Sequence, residues 1–156
     1  MNTSETFEHK WLKNSDDISA CSEIRKKVFV EEQGVSESIV FDHYDNPDNK
    51  ETLNLLIYDP KSLKLVASAR IVFKKDVDRW YVQRVSVLKE ERRKGLGDLL
   101  MDLVEAKSKE LFIEWLYVSS QFRIKDLYLK HGFEQVGETY LEAAILHITL
   151  KKKLFL

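Results

Sequence analysis

A chain of 156 residues is long enough to bury a sizeable core and most simply forms one domain over residues 1–156. Composition is ordinary for a globular protein, 44% hydrophobic and 33% charged, and a net charge of −1 lacks the basic excess of a general nucleic-acid binder. No apolar run approaches the roughly 20 residues of a membrane span, the first ten residues lack the apolar segment of a secretory leader, and the lone Cys21 leaves no intrachain disulfide. The expectation is a cytoplasmic protein with no membrane partner.

Residues 7–12 read as a first strand. Residues 14–30 read as a helix, with Asn14 or Ser15 as cap and Asp16 and Asp17 in its first turn. Cys21 falls on the apolar stripe of that helix with Ile18, Ile24 and Val28, where a thiol without a neighbouring base is inert. Residues 31–50 are acidic and irregular, with the loop signal Asn46-Pro47-Asp48-Asn49. Strands over residues 52–58 and 63–74 flank a hairpin turn at Asp59-Pro60-Lys61-Ser62, and residues 79–88 alternate partially as a third. Leu96, Leu99, Leu100, Leu103, Val104 and Leu111 then recur at helical spacing over residues 96–111. Residues 112–118 suit a buried strand, and strand–helix–strand makes a parallel unit. A second helix over residues 121–131, capped by Ser120, stops at Gly132, and residues 133–139 and 144–150 form a last strand pair. The pattern predicts an α+β or mixed α/β domain around one sheet.

The segment Arg92-Arg93-Lys94-Gly95-Leu96-Gly97 joins the third strand to the long helix. Glycines let a backbone approach a ligand closely, and the first amides of a helix have no partner within it and sit at the positive end of its dipole. A basic glycine turn opening a helix is therefore a place for a phosphate. It is not a Walker A loop, since no Gly-Lys-Ser/Thr follows. Nor is it a dinucleotide fingerprint, since Leu100 stands where the third glycine would be. Alone, it reads equally as a helix start with solvated cations.

Downstream lies Tyr128-Leu129-Lys130-His131-Gly132-Phe133. The basic Arg-x-x-Gly-x-Gly turn, the parallel unit and this Tyr-x-x-x-Gly-Phe resemble the GCN5-related N-acetyltransferase (GNAT) family. Ile24-Arg25-Lys26-Lys27-Val28-Phe29-Val30-Glu31-Glu32-Gln33, Phe41-Asp42-His43-Tyr44-Asp45 and Tyr140-Leu141-Glu142-Ala143-Ala144-Ile145-Leu146-His147 are similar to segments of its branch typified by the bacterial ElaA and YjcF proteins. Ala144 and Leu146 depart from that branch's usual glycine and proline. The resemblance implies a mostly antiparallel sheet with one parallel, splayed strand pair and flanking helices. It implies acetyl-CoA as co-substrate, no metal, and transfer of the acetyl group to a primary amine by direct attack in a ternary complex. An acyl-CoA-binding sensor without transferase activity is the alternative, and a longer acyl donor a third.

In such a site the coenzyme lies against Val85, Ser86 and Val87 and the turn Arg92, Arg93, Lys94, Gly95, Leu96, Gly97 and Asp98. The Val87 amide would bond the thioester oxygen as an oxyanion-type donor. Tyr128 is the expected general acid for the sulfur, a phenol being protonated at neutral pH, with a core aromatic as the competing reading. Gln121 either bonds the pantetheine or caps the second helix, while Ser119 and Ser120 read as caps. The base is open among Glu32, Asp42, His43, Asp45, Glu142 and His147, with Glu32 placed first. The acidic stretch over residues 31–48 leans toward a cationic acceptor, a small amine or an exposed amino group. Monomer and homodimer both fit.

Overall fold

The computed structural model describes residues 7–155, so the ends of the expected single domain, residues 1–6 and 156, lie outside the described residues. Seven strands form one sheet: β1 (Glu8–Lys13), β2 (Leu53–Tyr58), β3 (Leu65–Lys74), β4 (Arg79–Val87), β5 (Trp115–Gln121), β6 (Glu134–Glu142) and β7 (Ile145–Lys153), in the order β1-β2-β3-β4-β5-β7-β6. All neighbours are antiparallel except β4 and β5, whose parallel register runs only from Trp80↔Leu116 to Val82↔Val118. Beyond Val82 and Val118 the two strands part.

The long helix α3 (Leu96–Glu110) makes the β4–β5 crossover. It buries Leu100, Met101 and Val104 in one cluster with Leu55, Ile57, Val82 and Leu116. Helix α1 (Ser19–Arg25), continued as a π-helical turn over Lys26–Glu32 and followed by the single turn α2 (Glu37–Val40), buries Cys21, Ile24 and Val28 with Leu56 and Leu88. Leu56 lies between Leu55 and Ile57 in β2, and successive residues of a strand face opposite sides, so α1 and α3 cover opposite faces of the sheet. Cys21 is fully buried, and burial pushes its thiol pKa up, in keeping with an inert core residue. Among the described residues no helix is long and apolar enough to cross a membrane.

Three expected elements are placed differently. The first helix begins at Ser19, not near residue 14. Asn14 is buried instead of capping, because its Nδ2 donates to the carbonyls of Tyr44 (2.6 Å) and Asn46 (3.0 Å) and its Oδ1 accepts from Asn54 (2.9 Å). Asp16 folds back to the Lys13 amide, while Asp17 accepts the Ser19 amide at the true helix start. The strand expected over residues 112–118 begins at Trp115, since Phe112 takes a left-handed turn after α3 (φ 57°) and is 85% exposed. The second helix is interrupted: β5 runs through Gln121, a 3-10 turn follows over Phe122–Ile124, and α4 spans only Asp126–Leu129. Ser120 is therefore a strand residue, not a cap. Its hydroxyl donates to the Gln121 carbonyl.

Candidate active site

The parting of β4 and β5 is produced by a bulge. Ser68 pairs with Ser86 and Arg70 with Gln83, so Ala69 alone faces both Arg84 and Val85. Arg84 accordingly takes a left-handed backbone (φ 55°), a conformation that costs an ordinary residue roughly 1–2 kcal/mol. Its side chain compensates with three bonds: Nε to the Val40 carbonyl (3.0 Å), Nη2 to the Ile39 carbonyl (3.0 Å) and to Asp42 (3.2 Å). Burial and the nearby Arg70 push its pKa down to about 10.

Past the bulge, the Leu88 amide donates to Val66 at 3.0 Å. Strand alternation then turns the N–H and C=O of Val87 away from β3 and into the gap between β4 and β5. A cavity of about 640 Å³ fills that gap, lined among others by Val85, Val87, Ser119, Gln121, Tyr128 and His147. A second hollow of about 390 Å³ adjoins it, lined by Val87, Arg92, Arg93, Gly95, Leu96, Gly97, Asp98 and Lys130.

This second hollow is the glycine turn seen in three dimensions. Arg93 (φ 67°) and Gly95 (φ 77°) both take left-handed backbones, and Gly95 is the residue before the first turn of α3. Such alternation turns successive amides toward one concavity, an anion-binding arrangement that the helix dipole strengthens. At Gly97 a Cβ would come within 3.3 Å of Leu127, so the wall there is already close. The side chains do less than their sequence promised. Leu96 is buried in the core, Lys94 pairs with Glu91 (2.7 Å), and Asp98 pairs with Lys130 (2.9 Å) and His131 (2.9 Å), which hold its carboxyl below the usual range. Ser86 is likewise turned inward, its hydroxyl donating to the carbonyls of Ser68 and Arg84.

Arg92 and Glu32 form a two-pronged pair across the mouth, Nη1 to Oε2 at 2.6 Å and Nη2 to Oε1 at 2.8 Å, while Arg92 Nε donates to the Val87 carbonyl at 3.1 Å. The hydrogen bonds from Arg92 hold the Glu32 pKa below its ordinary value despite partial desolvation. A carboxylate with both oxygens engaged and its proton affinity lowered is poorly suited to take a proton. Glu32 does not fit the role of base given it from sequence. What it does is fix the guanidinium that fixes Val87.

Tyr128 is 2% exposed, lines the cavity, and packs edge-on against Phe133 with centroids 5.8 Å apart. Burial drives its phenol pKa well above the ordinary value, so the hydroxyl keeps its proton at any working pH. Gln121 does not cap a helix. Its Nε2 donates to Gln33 Oε1 across the cavity (2.8 Å), and its own Oε1 is buried with no partner among the described residues. That orphan acceptor beside the gap fits an amide N–H of a pantetheine arm, which carries two.

On the opposite wall, His147 Nδ1 lies 2.7 Å from the Ile145 carbonyl, which only accepts, so Nδ1 carries the proton. Nε2 is left to face the cavity, 3.4 Å from Glu142, and the ring stacks on Tyr140. Tyr140 in turn is hydrogen-bonded to Ser119 and Thr149, which orients the stack and removes Ser119 from any capping role.

Within the acidic stretch, Glu31, Glu37 and Asp48 are exposed, but Asp42 and Asp45 are tied up by arginines. Asp42 accepts from Arg70 (3.0 and 2.8 Å), Arg84 and the Tyr44 amide, while Asp45 accepts from Arg25 (2.6 Å), Arg70 (2.8 Å) and the Asp42 amide. Arg25 and Arg70 are fully buried: Gln83 accepts from Arg70 Nε and Nη2, Asn54 accepts from Arg25 Nη2, and Arg25 Nε has no partner among the described residues. Neither Asp42 nor Asp45 is therefore available as a base or as a landing place for a cationic acceptor. Arg25, Arg70, Arg84 and Gln33 escaped the sequence reading. The available signal was a charged residue inside an otherwise apolar helix stripe or strand.

The sequence profile described as "Acetyltransferase (GNAT) domain" matches residues 26–154. A Bacillus subtilis (strain 168) protein bearing an acetyltransferase name is 30% identical over 144 residues, covering 92% of this chain and 95% of that protein. The "uncharacterized N-acetyltransferase YjcF" of the same organism is 27% identical over 141 residues, 90% and 95% of the two chains. The crystal structure of Escherichia coli ElaA superposes with a TM-score of 0.80 at 25% identity, covering 94% of this chain and 99% of that one.

Proposed function

The chain belongs to the acetyltransferase (GNAT) family, where it is similar to ElaA and YjcF, and on that premise we propose how this acyltransferase works: its own groups hold acetyl-CoA in the β4–β5 gap and direct its acetyl group onto a primary amine in a ternary complex. The observation that carries the reading is the convergence of the Val87 main chain and Tyr128 on one cavity whose mouth is the glycine turn. A coenzyme-binding module without transferase activity is not favoured, since these groups would have no task in it.

The amides at the start of α3 and the Arg93–Gly95 turn hold the pyrophosphate. Gln121 Oε1 accepts an amide N–H of the pantetheine arm. Val87 N–H bonds the thioester oxygen and strengthens that bond as the oxygen gains charge, a contribution of about 3 kcal/mol for donors of this kind. His147 Nε2 takes a proton from the acceptor's ammonium and so frees the lone pair that attacks the thioester, and Glu142 stabilises the imidazolium that forms. Tyr128 donates its O–H toward the sulfur as the carbon–sulfur bond breaks, and the proton that the nitrogen sheds on becoming an amide restores the phenol. Arg92, clamped by Glu32, keeps the Val87 peptide in place. Holding amine and thioester together in this way is worth several kcal/mol of the barrier.

The test is the Tyr128→Phe variant, followed by thiol release with a panel of primary amines and by calorimetry with acetyl-CoA. The expected outcome is a loss of kcat of at least tenfold, with coenzyme affinity kept within about twofold. An unchanged kcat removes Tyr128 from the chemistry. Failure of the wild-type protein to bind acetyl-CoA removes the whole reading.

A further inference from the structure

The acceptor half of the cavity has an unexpected charge balance. Three arginines, Arg25, Arg70 and Arg84, share two carboxylates, Asp42 and Asp45, so the cluster keeps a surplus of one positive charge. Arg84 is the arginine of that cluster that lines the cavity, with Asp42 beside it, and the bulge brings it there: its left-handed backbone turns its side chain to the side that carries Gln83. Nε and Nη2 are committed to Val40, Ile39 and Asp42, while Nη1 has no partner among the described residues.

Lys74, the last residue of β3, lines the same cavity. Its ammonium rests 4.3 Å from the centre of the Tyr81 ring, and among the described residues no carboxylate lies within ion-pair distance of it. By register Lys74 is opposite Arg79 and Ala67 is opposite Val87. Lys74 therefore lies roughly 20 Å along the sheet from the Val87 amide, with Arg84 between. The acids on the cavity wall do not cancel these cations. Glu32 is spent on Arg92, Asp42 is shared by Arg70 and Arg84, and Glu142 stands beside His147.

Resting on the acyltransferase reading above, we propose that the acceptor is an elongated amine whose anionic group, a carboxylate or a phosphate, stands well away from its nitrogen, and that the row of Arg84 and then Lys74 receives that group while the amine meets His147 and the thioester. An amine without such a group leaves Arg84 Nη1 without an acceptor and Lys74 without a carboxylate among the described residues. An amine with one supplies both and is oriented with its nitrogen toward the donor end.

The experiment measures thiol release by the full chain with saturating acetyl-CoA and matched elongated acceptors: 12-aminododecanoate against 12-aminododecanamide, pentaglycine against its C-terminal amide, and 12-aminododecyl phosphate against 12-aminododecanol. The anionic member of at least one pair is expected to have at least a tenfold higher kcat/KM. The pair that responds separates carboxylate from phosphate. In Lys74→Met the preference is expected to shrink at least fivefold, through the KM of the anionic member, and Lys74→Arg restores it. Equal or reversed preference in every pair overturns the proposal, as does an unchanged ratio in Lys74→Met. Failure of the parent reading looks different, as no thiol release with any amine. The same pairs are then titrated calorimetrically into the acetyl-CoA-loaded protein: a tenfold preference for an anionic member upholds the proposal, and equal or undetectable binding throughout overturns it.

Discussion

The donor and acceptor ends of the cavity are built from different materials. At the proposed donor end most working groups are main-chain ones, the amides at the start of α3 and the Val87 peptide, supplied by one continuous stretch from β4 through the glycine turn, with the Gln121 and Tyr128 side chains added deeper in the gap. At the acceptor end they are side chains drawn from separate segments: Arg84 from β4, Lys74 from β3, His147 from β7 and the arginine–aspartate cluster around residues 25, 42, 45 and 70. A site made of backbone needs only a conformation, and many side chains satisfy it. A site made of distant side chains needs a particular residue at every point. The donor end therefore suits a ligand shared by a family, and the acceptor end suits one that differs between members.

The sharpest way to break that contrast is to remove one carboxylate from the cluster. Asp45→Ala leaves Arg25 and Arg70 buried without that partner and is expected to cost about 3–5 kcal/mol in urea unfolding. A loss under 1 kcal/mol would mean that the cluster does not hold the acceptor end. The same carboxylate gives a pH dependence. Burial raises the Asp45 pKa, but Arg25 and Arg70 together outweigh it, and the folded value lies below the ordinary 3.8. Its stabilisation is therefore complete above about pH 4 and is lost as pH falls through the lower folded value.

Next in size, His147→Gln is expected to lower kcat/KM roughly 100-fold while coenzyme affinity is kept, a general-base loss. Activity within a factor of three of wild type would move the base elsewhere. Glu32→Gln separates clamp from base. As a clamp on Arg92 it is expected to raise the KM for acetyl-CoA only a few-fold, because the pair is partly exposed, and to leave the shape of the pH–rate profile intact. Loss of an ionisation from that profile would restore Glu32 as the base.

The smallest effect lies at the rim. Ala143 (φ 51°) and Ala144 (φ 62°) form the two-residue turn between β6 and β7, both in the left-handed region. Ala144→Gly relieves strain there and is expected to add about 0.5 kcal/mol of stability in thermal unfolding. Destabilisation would show that the turn has a different geometry.

Much of the donor end was legible because its signals are local. A glycine with a left-handed backbone, a basic turn and a 3.6-residue apolar period are read within a few positions; the glycine turn and α3 lie where the pattern put them, and the parallel unit follows with its second strand starting at Trp115 and not at residue 112. The resemblance of the flanks to the ElaA and YjcF branch carried the family with it. Acids and bases were misread for the opposite reason. Asp42, Asp45 and Glu32 look like a solvated acidic loop in one dimension, and what neutralises them comes from Arg25, Arg70, Arg84 and Arg92, between 20 and 60 residues away. Gln121 was read as cap or ligand, and only the strand's running through it sent its amide across to Gln33.

By itself, then, the sequence determined the sheet-and-helix pattern and the basic glycine turn, because each follows from backbone conformation and short-range periodicity, and its resemblance to the acetyltransferase (GNAT) family pointed to the class of donor. The tertiary structure alone decided which charges remain unspent in the cavity. Ionic partners are chosen by proximity in space, and a residue's charge says nothing about whether another residue has already cancelled it.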